Sequence, residues 1–421
     1  MKDKVAKLFK AGFFHIFGSS TINKVLVFLS AIILVRVLTK QEYGVFSYMW
    51  NIFSLILLFS GFGIEAGSLQ ILSECKNDKE RFKDVYRYSI RFGTIVNIGL
   101  AAVIIFISYF VPLPIAGSNE LLKLVCFLPI LMLIYNLQTI YLRTLSENKR
   151  FSALSLINTF FVSALTIAGA YIYESKGLIY GRYLAYLVTI VIGVAIIKTP
   201  IPVSRHPINI LPVDKRDLLK ISSIGLVNNG LSHLMYLIDV FVVGLVMTSE
   251  VDVAAYKVAT QIPNALVFIP AAVVTFIYPY FAEHREDKKL CFYRYKQVTA
   301  AMVAANACIS AILVIFAPLI IRLVFGSQYL DAVTSFRILG IAYFFSGSFR
   351  VIAGNLLATQ RKYYFQLFVA ITSGILNFTA DYFLVSKYGI EGAAVATLVV
   401  AVFTSLLNAG YLIRTLKRTD Q

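Results

Sequence analysis

The chain has 421 residues, of which 58% are hydrophobic, and it carries a formal net charge of +17. Its mean hydropathy is +0.76, and apolar runs of about 20 residues, the length that crosses a bilayer, recur from end to end. This composition excludes an ordinary soluble globular protein and predicts an all-α polytopic membrane protein. The sequence contains no phosphate-binding loop, paired-cysteine metal motif or nucleophile motif, so we expect no enzyme activity, no cofactor and no metal site.

The hydrophobic pattern predicts about twelve transmembrane helices. In chain order the candidate spans are 13–38, 43–73, 88–111, 121–142, 152–173, 177–197, 219–247, 253–281, 298–324, 332–358, 364–386 and 390–413. No stretch with the two-residue period of a strand competes with this interpretation. The loops on the side opposite to the N-terminus are short, and the longest of them, Pro112–Glu120, is too small for a folded domain.

Lysine and arginine concentrate in alternate loops. With the N-terminus in the cytoplasm, most loop lysines and arginines fall on the cytoplasmic side, and only Lys40, Lys176 and Lys387 fall in the opposite loops. This bias follows the positive-inside rule and predicts that both termini are cytoplasmic. Because topology accounts for the positive charge, we expect no nucleic-acid partner.

A proline-rich connection, Lys198–Lys220, follows the sixth predicted span. Proline there disfavours helix and gives a semi-rigid linker. We therefore expect two six-helix lobes, residues 1–198 and 218–421, joined by a cytoplasmic linker at 199–217. A sparse internal repeat supports this division, since Leu145–Gly177 aligns without gaps on residues 212 positions further on, and a shift of 209 aligns the lobe starts. Because six spans return the chain to the same side, the lobes are parallel repeats related by a pseudo-two-fold axis along the membrane normal.

Two predicted spans carry polar stripes. In span one the stripe consists of His15, Ser19, Asn23 and Ser30, with Lys24 beside it. In span seven, which takes the place of span one under the shift of 209, it consists of Gly225, Asn229, Ser232, Tyr236 and Asp239, with His233 beside it. Two interpretations are open: the stripes line a cavity between the lobes, or their Asn and Ser side chains bridge neighbouring helices.

Ionisable residues lie inside or at the edges of several spans, where they normally face a bundle interior or water. The basic ones are Lys24, Arg36, Arg91, Arg182, Lys257, Arg322, Arg337 and Arg350, and the acidic ones are Glu65, Asp239 and Asp381. Near span ends, as for Arg36 and Arg182, a long side chain can snorkel to the interface, whereas Lys24 and Arg350 lie far from both ends. An excess of positive charge in a cavity suits an anionic substrate such as a pyrophosphate headgroup.

These patterns give two sets of candidate site residues. The candidates for binding pyrophosphate or sugar are Lys24, Asn23, Asn229, Ser232, His233, Lys257 and Arg350. The candidates for ion coupling or gating are Glu65, Asp239, Asp381 and Arg36. In span two, Gly63 and Gly67 form a small-xxx-small pair, for which close helix packing is the favoured interpretation.

The end of span one and the start of span two read Arg36-Val37-Leu38-Thr39-Lys40-Gln41-Glu42-Tyr43-Gly44-Val45-Phe46-Ser47-Tyr48. This motif, with twelve spans in two lobes, resembles the Wzx-type O-antigen flippases of the multidrug/oligosaccharidyl-lipid/polysaccharide superfamily. The resemblance implies a MATE-like, V-shaped fold with alternating access and a cationic cavity, in which Lys24 takes a basic position used by lipid-linked-sugar flippases. It implies translocation of an undecaprenyl-pyrophosphate-linked oligosaccharide, an O-antigen or capsule repeat unit, across the bacterial inner membrane. The implied partners are this glycan carrier, membrane lipids and other polysaccharide assembly proteins such as the polymerase.

Three other functions agree with part of the pattern. A MATE-like drug or cation antiporter shares the fold, but we expect its cavity to carry more acid than base, and the acidic residue typical of the first helix of sodium-coupled exporters is missing. The lipid II flippases resemble a fourteen-span pattern rather than a twelve-span one. A membrane-embedded polymerase or ligase is expected to need a large outer loop with catalytic residues, which the short predicted loops do not offer.

Overall fold

The computed structural model describes residues 13–197 and 210–417, except for the side chains of residues 13–17, 228, 229, 231, 232, 235 and 236. Within these ranges every regular element is a helix, which confirms the all-α prediction. The chain divides into two compact units, Met1–His233 and Leu234–Gln421. Each unit has its own core of buried apolar side chains.

Unit 1 is built from the helices that precede the division. In the described ranges they are α1 (Phe13–Val37), α2 (Lys40–Leu57), α3 (Ile64–Glu74), α4 (Lys79–Phe110), α5 (Ser118–Leu124), α6 (Leu128–Thr144), α7 (Asn148–Ile197) and α8 (Pro212–Met247). A 3-10 turn, Ser60–Gly63, separates α2 from α3. The division between the units falls inside α8. One apolar core cluster of unit 1 is formed by α3, α4, α6 and the start of α8.

Unit 2 is built from the end of α8 and the helices that follow it. They are α9 (Glu250–Leu266), α10 (Phe268–Glu283), α11 (Lys288–Ile315), α12 (Ala317–Val324), α13 (Val333–Phe345), α14 (Val351–Thr359) and α15 (Tyr363–Lys417). A 3-10 helix, Ser327–Ala332, precedes α13, and a π turn, Ser346–Arg350, joins α13 to α14. One apolar core cluster of this unit is formed by α10, α11, α14 and the end of α15.

The helices include several that are long and apolar enough to cross a membrane. Among the described residues seven pass this test, or up to nine when two bent helix pairs each count as one span. The chain is therefore a multi-pass membrane protein, but the predicted number of twelve spans is not confirmed. Two of the seven, α7 and α15, have 50 and 55 residues and contain non-helical breaks. Leu237–Met247, at the end of α8, is a shorter apolar stretch of described residues.

The break in α7 reverses the direction of the chain. It lies at Tyr173 and Glu174, and Glu174 has a φ of 55°. Gly169 and Gly177, on either side of the break, bring their backbones into contact. The two arms of α7 therefore run antiparallel, and a side chain at either glycine would collide with the opposite arm.

The second predicted span is interrupted by the turn Ser60–Gly63, which contains three consecutive residues with positive φ. Such a break leaves backbone N–H and C=O groups without their helical hydrogen bonds, and lipid offers no replacement. Asn97, buried on α4, satisfies one of them, because its Oδ1 accepts the N–H of Gly61 at 2.7 Å. The Nδ2 of Asn97 donates to the carbonyl of Pro129 at 2.8 Å. One asparagine thus connects α4, α6 and the break.

Replacing Asn97 by alanine is expected to lower the free energy of unfolding by about 1–3 kcal/mol, because the change leaves buried backbone groups without partners. The measurement is the unfolding transition of the purified protein in a mixed-micelle denaturant titration. Asn355→Ala is the control, since Asn355 is exposed and donates to a carbonyl of its own helix. An Asn97→Ala protein as stable as this control would contradict the role.

Unit 2 has a buried asparagine in the corresponding position. Asn306, on α11, lies 209 residues after Asn97, the shift that aligns the lobe starts in the sequence. Its Nδ2 donates to Ser348 Oγ at 3.2 Å inside the π turn, and its Oδ1 accepts from the Tyr343 hydroxyl at 2.9 Å. In each unit a buried asparagine supports an irregular helical turn, as an internal repeat predicts.

The glycine pair of span two packs as the sequence predicts. A Cβ on Gly63 would meet the carbonyl of Ser222, and a Cβ on Gly67 would meet the carbonyl of Leu218. The turn at Gly63 and helix α3 therefore approach α8 backbone to backbone within unit 1.

The start of α8 differs from the predicted linker. Residues 212–217, assigned to the linker, form the first turns of α8, since Pro212 occupies the N-terminal position of the helix, where an N–H lacks a partner anyway. Asp214 is buried there and accepts two hydrogen bonds from the Arg81 guanidinium, at 2.6 and 2.8 Å. This pair fastens α8 to α4. Residues 199–209 lie outside the described ranges, so the lobe boundary stays a prediction.

Candidate functional site

A polar cavity of about 100 Å³ lies inside unit 2. It is surrounded by α8, α9, α13, the π turn and both arms of α15. Three predicted site residues line it, Asp239, Lys257 and Arg350. The lining also includes polar residues that the sequence analysis does not select, among them Tyr256, Asn377 and Thr397. The fold thus brings acidic, basic and neutral polar groups from distant parts of the chain to one place.

Asp239 is the centre of a hydrogen-bonded cluster at this cavity. Its Oδ1 accepts from Asn377 Nδ2 at 2.6 Å. Its Oδ2 accepts from Thr397 Oγ1 at 2.8 Å and from the Tyr256 hydroxyl at 3.1 Å. Asn377 Nδ2 also donates to Asp381 Oδ2 at 2.9 Å. One amide group therefore joins the two carboxylates.

The second carboxylate, Asp381, is fully buried, and its Oδ1 has no hydrogen-bond partner among the described residues. Within those same ranges no lysine or arginine forms an ion pair with Asp239 or Asp381. Two ionised carboxylates joined in this way repel each other, and a proton or a hard cation bound between them removes the repulsion. The cluster is therefore suited to take up and release a small cation.

Lys257 and Arg350 supply positive charge to the same cavity. Both side chains are half-buried, and neither forms an ion pair in the part of the chain that the structure describes. Arg350 ends the π turn, a helix irregularity that is frequent at functional sites. An ammonium and a guanidinium group facing one small cavity can hold phosphate oxygens or another anionic group.

The span-one candidates lie in unit 1. Lys24 is exposed on α1. Asn23 is half-buried, and its Nδ2 donates to Ser155 Oγ on α7 at 2.7 Å. Asn23 therefore bridges two helices, which is the second of the two interpretations of the stripe, while its Oδ1 is buried with no partner in the described ranges.

The remaining candidates are dispersed. Arg36 is exposed near the end of α1, and Glu65 is half-buried on α3, where its Oε1 accepts from Asn136 Nδ2 at 2.8 Å. His233 is exposed on α8. The side chains of Asn229 and Ser232 lie outside the description, so the span-seven stripe stays a prediction apart from Asp239.

Sequence reasoning missed three members of the unit 2 cluster. Asn377 precedes Asp381 by four residues, which places both on one helical face, and this spacing was a usable signal. Tyr256 and Thr397 carry no comparable local signal. Thr397 reaches the cluster only because α15 is interrupted at Gly389.

Arg182 packs against an aromatic ring of unit 1. Its Nε is buried inside unit 1, and its guanidinium carbon lies 3.9 Å from the centre of the Trp50 ring.

Broken helices around buried charged groups are typical of secondary transporters, and two solved transporters share this fold. An inward-facing multidrug-resistance MATE transporter of the MOP superfamily aligns over 94% of this chain and 96% of its own, with a TM-score of 0.78 and 14% identity. The lipid II flippase MurJ, in an inward closed conformation, aligns over 94% of this chain and 88% of its own, with a TM-score of 0.74 and 13% identity.

Residues 33–334 match the model of a protein family whose description is "Polysaccharide biosynthesis protein". The chain belongs to this family. One curated relative, assigned as the low-salt glycan biosynthesis flippase Agl15 of Haloferax volcanii, is 25% identical over 57% of this chain and 49% of its own length. Another, assigned as an O-antigen transporter of Shigella flexneri, is 23% identical over 43% of each chain. The chain spans about half the length of these relatives. The family confirms the resemblance inferred from the Arg36–Tyr48 motif.

Proposed function

We propose that the protein is a flippase that moves an undecaprenyl-pyrophosphate-linked oligosaccharide, such as an O-antigen or capsule repeat unit, to the outer leaflet by alternating access. The observation that carries this proposal is the unit 2 cavity, where Lys257 and Arg350 have no carboxylate partner among the described residues. Their positive charge suits a pyrophosphate group, which loses its hydration shell and its counterions when it enters the protein. Membership in the polysaccharide biosynthesis family supports the same substrate class. The proposed activity is transport and not catalysis.

A MATE-like exporter of cationic drugs is the first alternative, because a MATE transporter shares the fold. Lys257 and Arg350 would repel a cationic drug, and the carboxylate on the cavity wall, Asp239, already accepts three hydrogen bonds. A lipid II flippase is the second alternative, since MurJ shares the fold to a similar degree. A polymerase or ligase is disfavoured by the short predicted outer loops.

The Asp239–Asp381 cluster is the proposed site of the coupling cation. Asp239 lies on the wall that Lys257 and Arg350 also line. A cation bound between the two carboxylates neutralises charge on this wall and thereby changes the affinity of the cavity for an anionic group. Cation binding and glycan-carrier binding are then linked through one carboxylate, and the linkage works in both directions. In unit 1, Lys24 and Asn23 keep their proposed role in substrate binding, and Glu65 and Arg36 theirs in gating.

The proposed location is the bacterial inner membrane, with both termini in the cytoplasm, because of the bias of loop lysines and arginines. Alkaline phosphatase fused after Gln421 should be inactive, and the same enzyme inserted within Pro112–Glu120 should be active. The reverse pattern would exclude this topology. The partners in this arrangement are the glycan carrier, membrane lipids and an assembly protein such as the polymerase.

The substrate is tested with purified full-length protein in proteoliposomes. Undecaprenyl pyrophosphate carrying a fluorescent oligosaccharide is placed in both leaflets, and a membrane-impermeant quencher reports movement between them. We expect labelled glycan lipid to exchange between leaflets and ethidium not to be transported. Ethidium transport without glycan exchange would establish the antiporter instead, and exchange of labelled lipid II alone would establish the lipid II flippase.

A further inference from the structure

Unit 1 contains a second polar cavity, of about 220 Å³, which the proposed function does not use. It lies between α1 and the two arms of α7. No acidic residue is among the described residues that line it, and its polar lining consists of Ser30, Asn158, Thr159, Ser163, Thr166, Arg182 and Tyr186. About 10–15 Å³ of such space holds one water. The cavity therefore has room for a group much larger than a single inorganic ion.

Arg182 brings a positive charge into this cavity. It lies eight residues after the break at Glu174, which is about 12 Å along the helix at 1.5 Å per residue. Trp50 packs on its guanidinium group at 3.9 Å but offers no hydrogen-bond acceptor. Arg182 has no ion pair within the described ranges. The Arg182 side chain is half-buried and its Nε is fully buried. A desolvated cation without a counter-charge is unfavourable, so the site favours an anion.

Two further polar atoms at the cavity lack partners. Thr166 Oγ1 and Asn158 Oδ1 are buried and, like Arg182 Nε, form no hydrogen bond in the part of the chain that the structure describes. Buried polar groups are normally hydrogen-bonded, so three unbonded polar atoms at one cavity make it a candidate site for a polar ligand. Thr166 is 2% exposed, so bulk water does not supply the missing bond.

The three unbonded groups also specify the chemistry of that ligand. Arg182 donates and carries charge, which requires an anionic acceptor. Asn158 Oδ1 can only accept, which an inorganic anion would not satisfy and a hydroxyl group would. Thr166 can serve either role. The remaining walls include the apolar side chains of Val27 and Leu34, which can pack against the C–H groups of a ring.

We propose that this cavity binds a sugar residue that bears a carboxylate. Its carboxylate pairs with the Arg182 guanidinium group, and its hydroxyls bond to Asn158 Oδ1 and Thr166 Oγ1. The inference rests on the proposed function, because it assigns an acidic sugar to the glycan that the protein transports. It places recognition of that sugar in unit 1, whereas the cavity with Lys257 and Arg350 lies in unit 2.

The test uses the intrinsic fluorescence of Trp50, since the chain contains a single tryptophan. Purified full-length protein in detergent is titrated with D-glucuronate, D-glucose and inorganic phosphate. We expect D-glucuronate alone to change the emission saturably. Arg182→Gln should weaken its binding by about 10-fold or more, the loss expected for a charge-assisted hydrogen bond.

Thr166→Val is the second variant, because it removes one hydroxyl and leaves the charge unchanged; we expect weaker D-glucuronate binding from it as well. Arg322→Gln is the matched control, since Arg322 is an exposed arginine of unit 2, and it should bind as wild type does. A response to phosphate equal to that of D-glucuronate would overturn the sugar assignment. No saturable response in folded wild-type protein would overturn the site.

This experiment separates the inference from the proposed function, because binding to Trp50 and Arg182 requires no transport. Glycan lipid that is never flipped by a protein that binds D-glucuronate would refute the proposed function. Efficient flipping by a protein that does not bind D-glucuronate would refute only the acidic-sugar site.

Discussion

Asp239→Asn is expected to make glycan transport insensitive to an imposed cation or proton gradient. Asparagine preserves the size of the side chain, but it removes the charge that would hold a cation beside Asp381. We expect the rate of gradient-driven flipping to fall by about 10–100-fold, because a hydrogen bond to a charged group contributes about 1.5–3 kcal/mol. The measurement is flipping in proteoliposomes, with sodium and pH gradients imposed separately.

Asp217→Asn is the matched control, because Asp217 is an exposed acid on the same helix, α8. It should leave the gradient dependence unchanged. Asp381→Asn should behave like Asp239→Asn, since both carboxylates accept from the amide of Asn377. A folded Asp239→Asn protein that keeps the full gradient dependence would remove the cluster from the coupling mechanism.

Arg350→Gln is expected to abolish surface display of the polysaccharide in a flippase-null strain and to raise the half-saturating concentration of glycan lipid by about 10-fold or more. The reason is the loss of a guanidinium group that has no carboxylate partner among the described residues and lines the unit 2 cavity. Arg350→Lys should retain part of the function, because it keeps the charge but not the planar two-pronged donor geometry. Lys257→Gln should act in the same direction.

The control for Arg350 is Arg337→Gln. Arg337 is exposed on α13 and donates to the Val314 carbonyl at 3.1 Å, so its loss should leave display intact. Membrane abundance is measured by immunoblot for every variant. Normal display by an Arg350→Gln protein at wild-type abundance would exclude Arg350 from substrate binding.

The helices of this protein could be predicted from the sequence, and so could the positions of its main turns. The breaks at Glu174 and Gly389 fall in stretches that the charge and glycine pattern marks as loops. The packing of Gly63 and Gly67 against α8 also follows from local sequence. In a bilayer every backbone N–H and C=O group must form a hydrogen bond within the protein, so a long apolar segment generally folds as a helix. The predicted number of twelve spans is not confirmed, and the turn Ser60–Gly63 interrupts the second predicted span.

The candidate site was predictable residue by residue but not as a group. Asp239, Lys257, Arg350 and Asp381 are conspicuous because charge within an apolar run is rare. Their assembly depends on contacts across the chain, such as the bond from Thr397 to Asp239 over 158 residues.

The sequence by itself determined the membrane class, the helices and the ionisable residues inside them, because hydropathy and charge are properties of each short segment. Only the tertiary structure decided which of these residues meet and which polar atoms remain unbonded. Arg182 illustrates the difference, since its place near a span end did not indicate a contact with Trp50. The packing of Trp50 on its guanidinium group keeps that charge inside unit 1. Burial and hydrogen-bond partners are properties of pairs of residues far apart in the chain, and no local pattern records them.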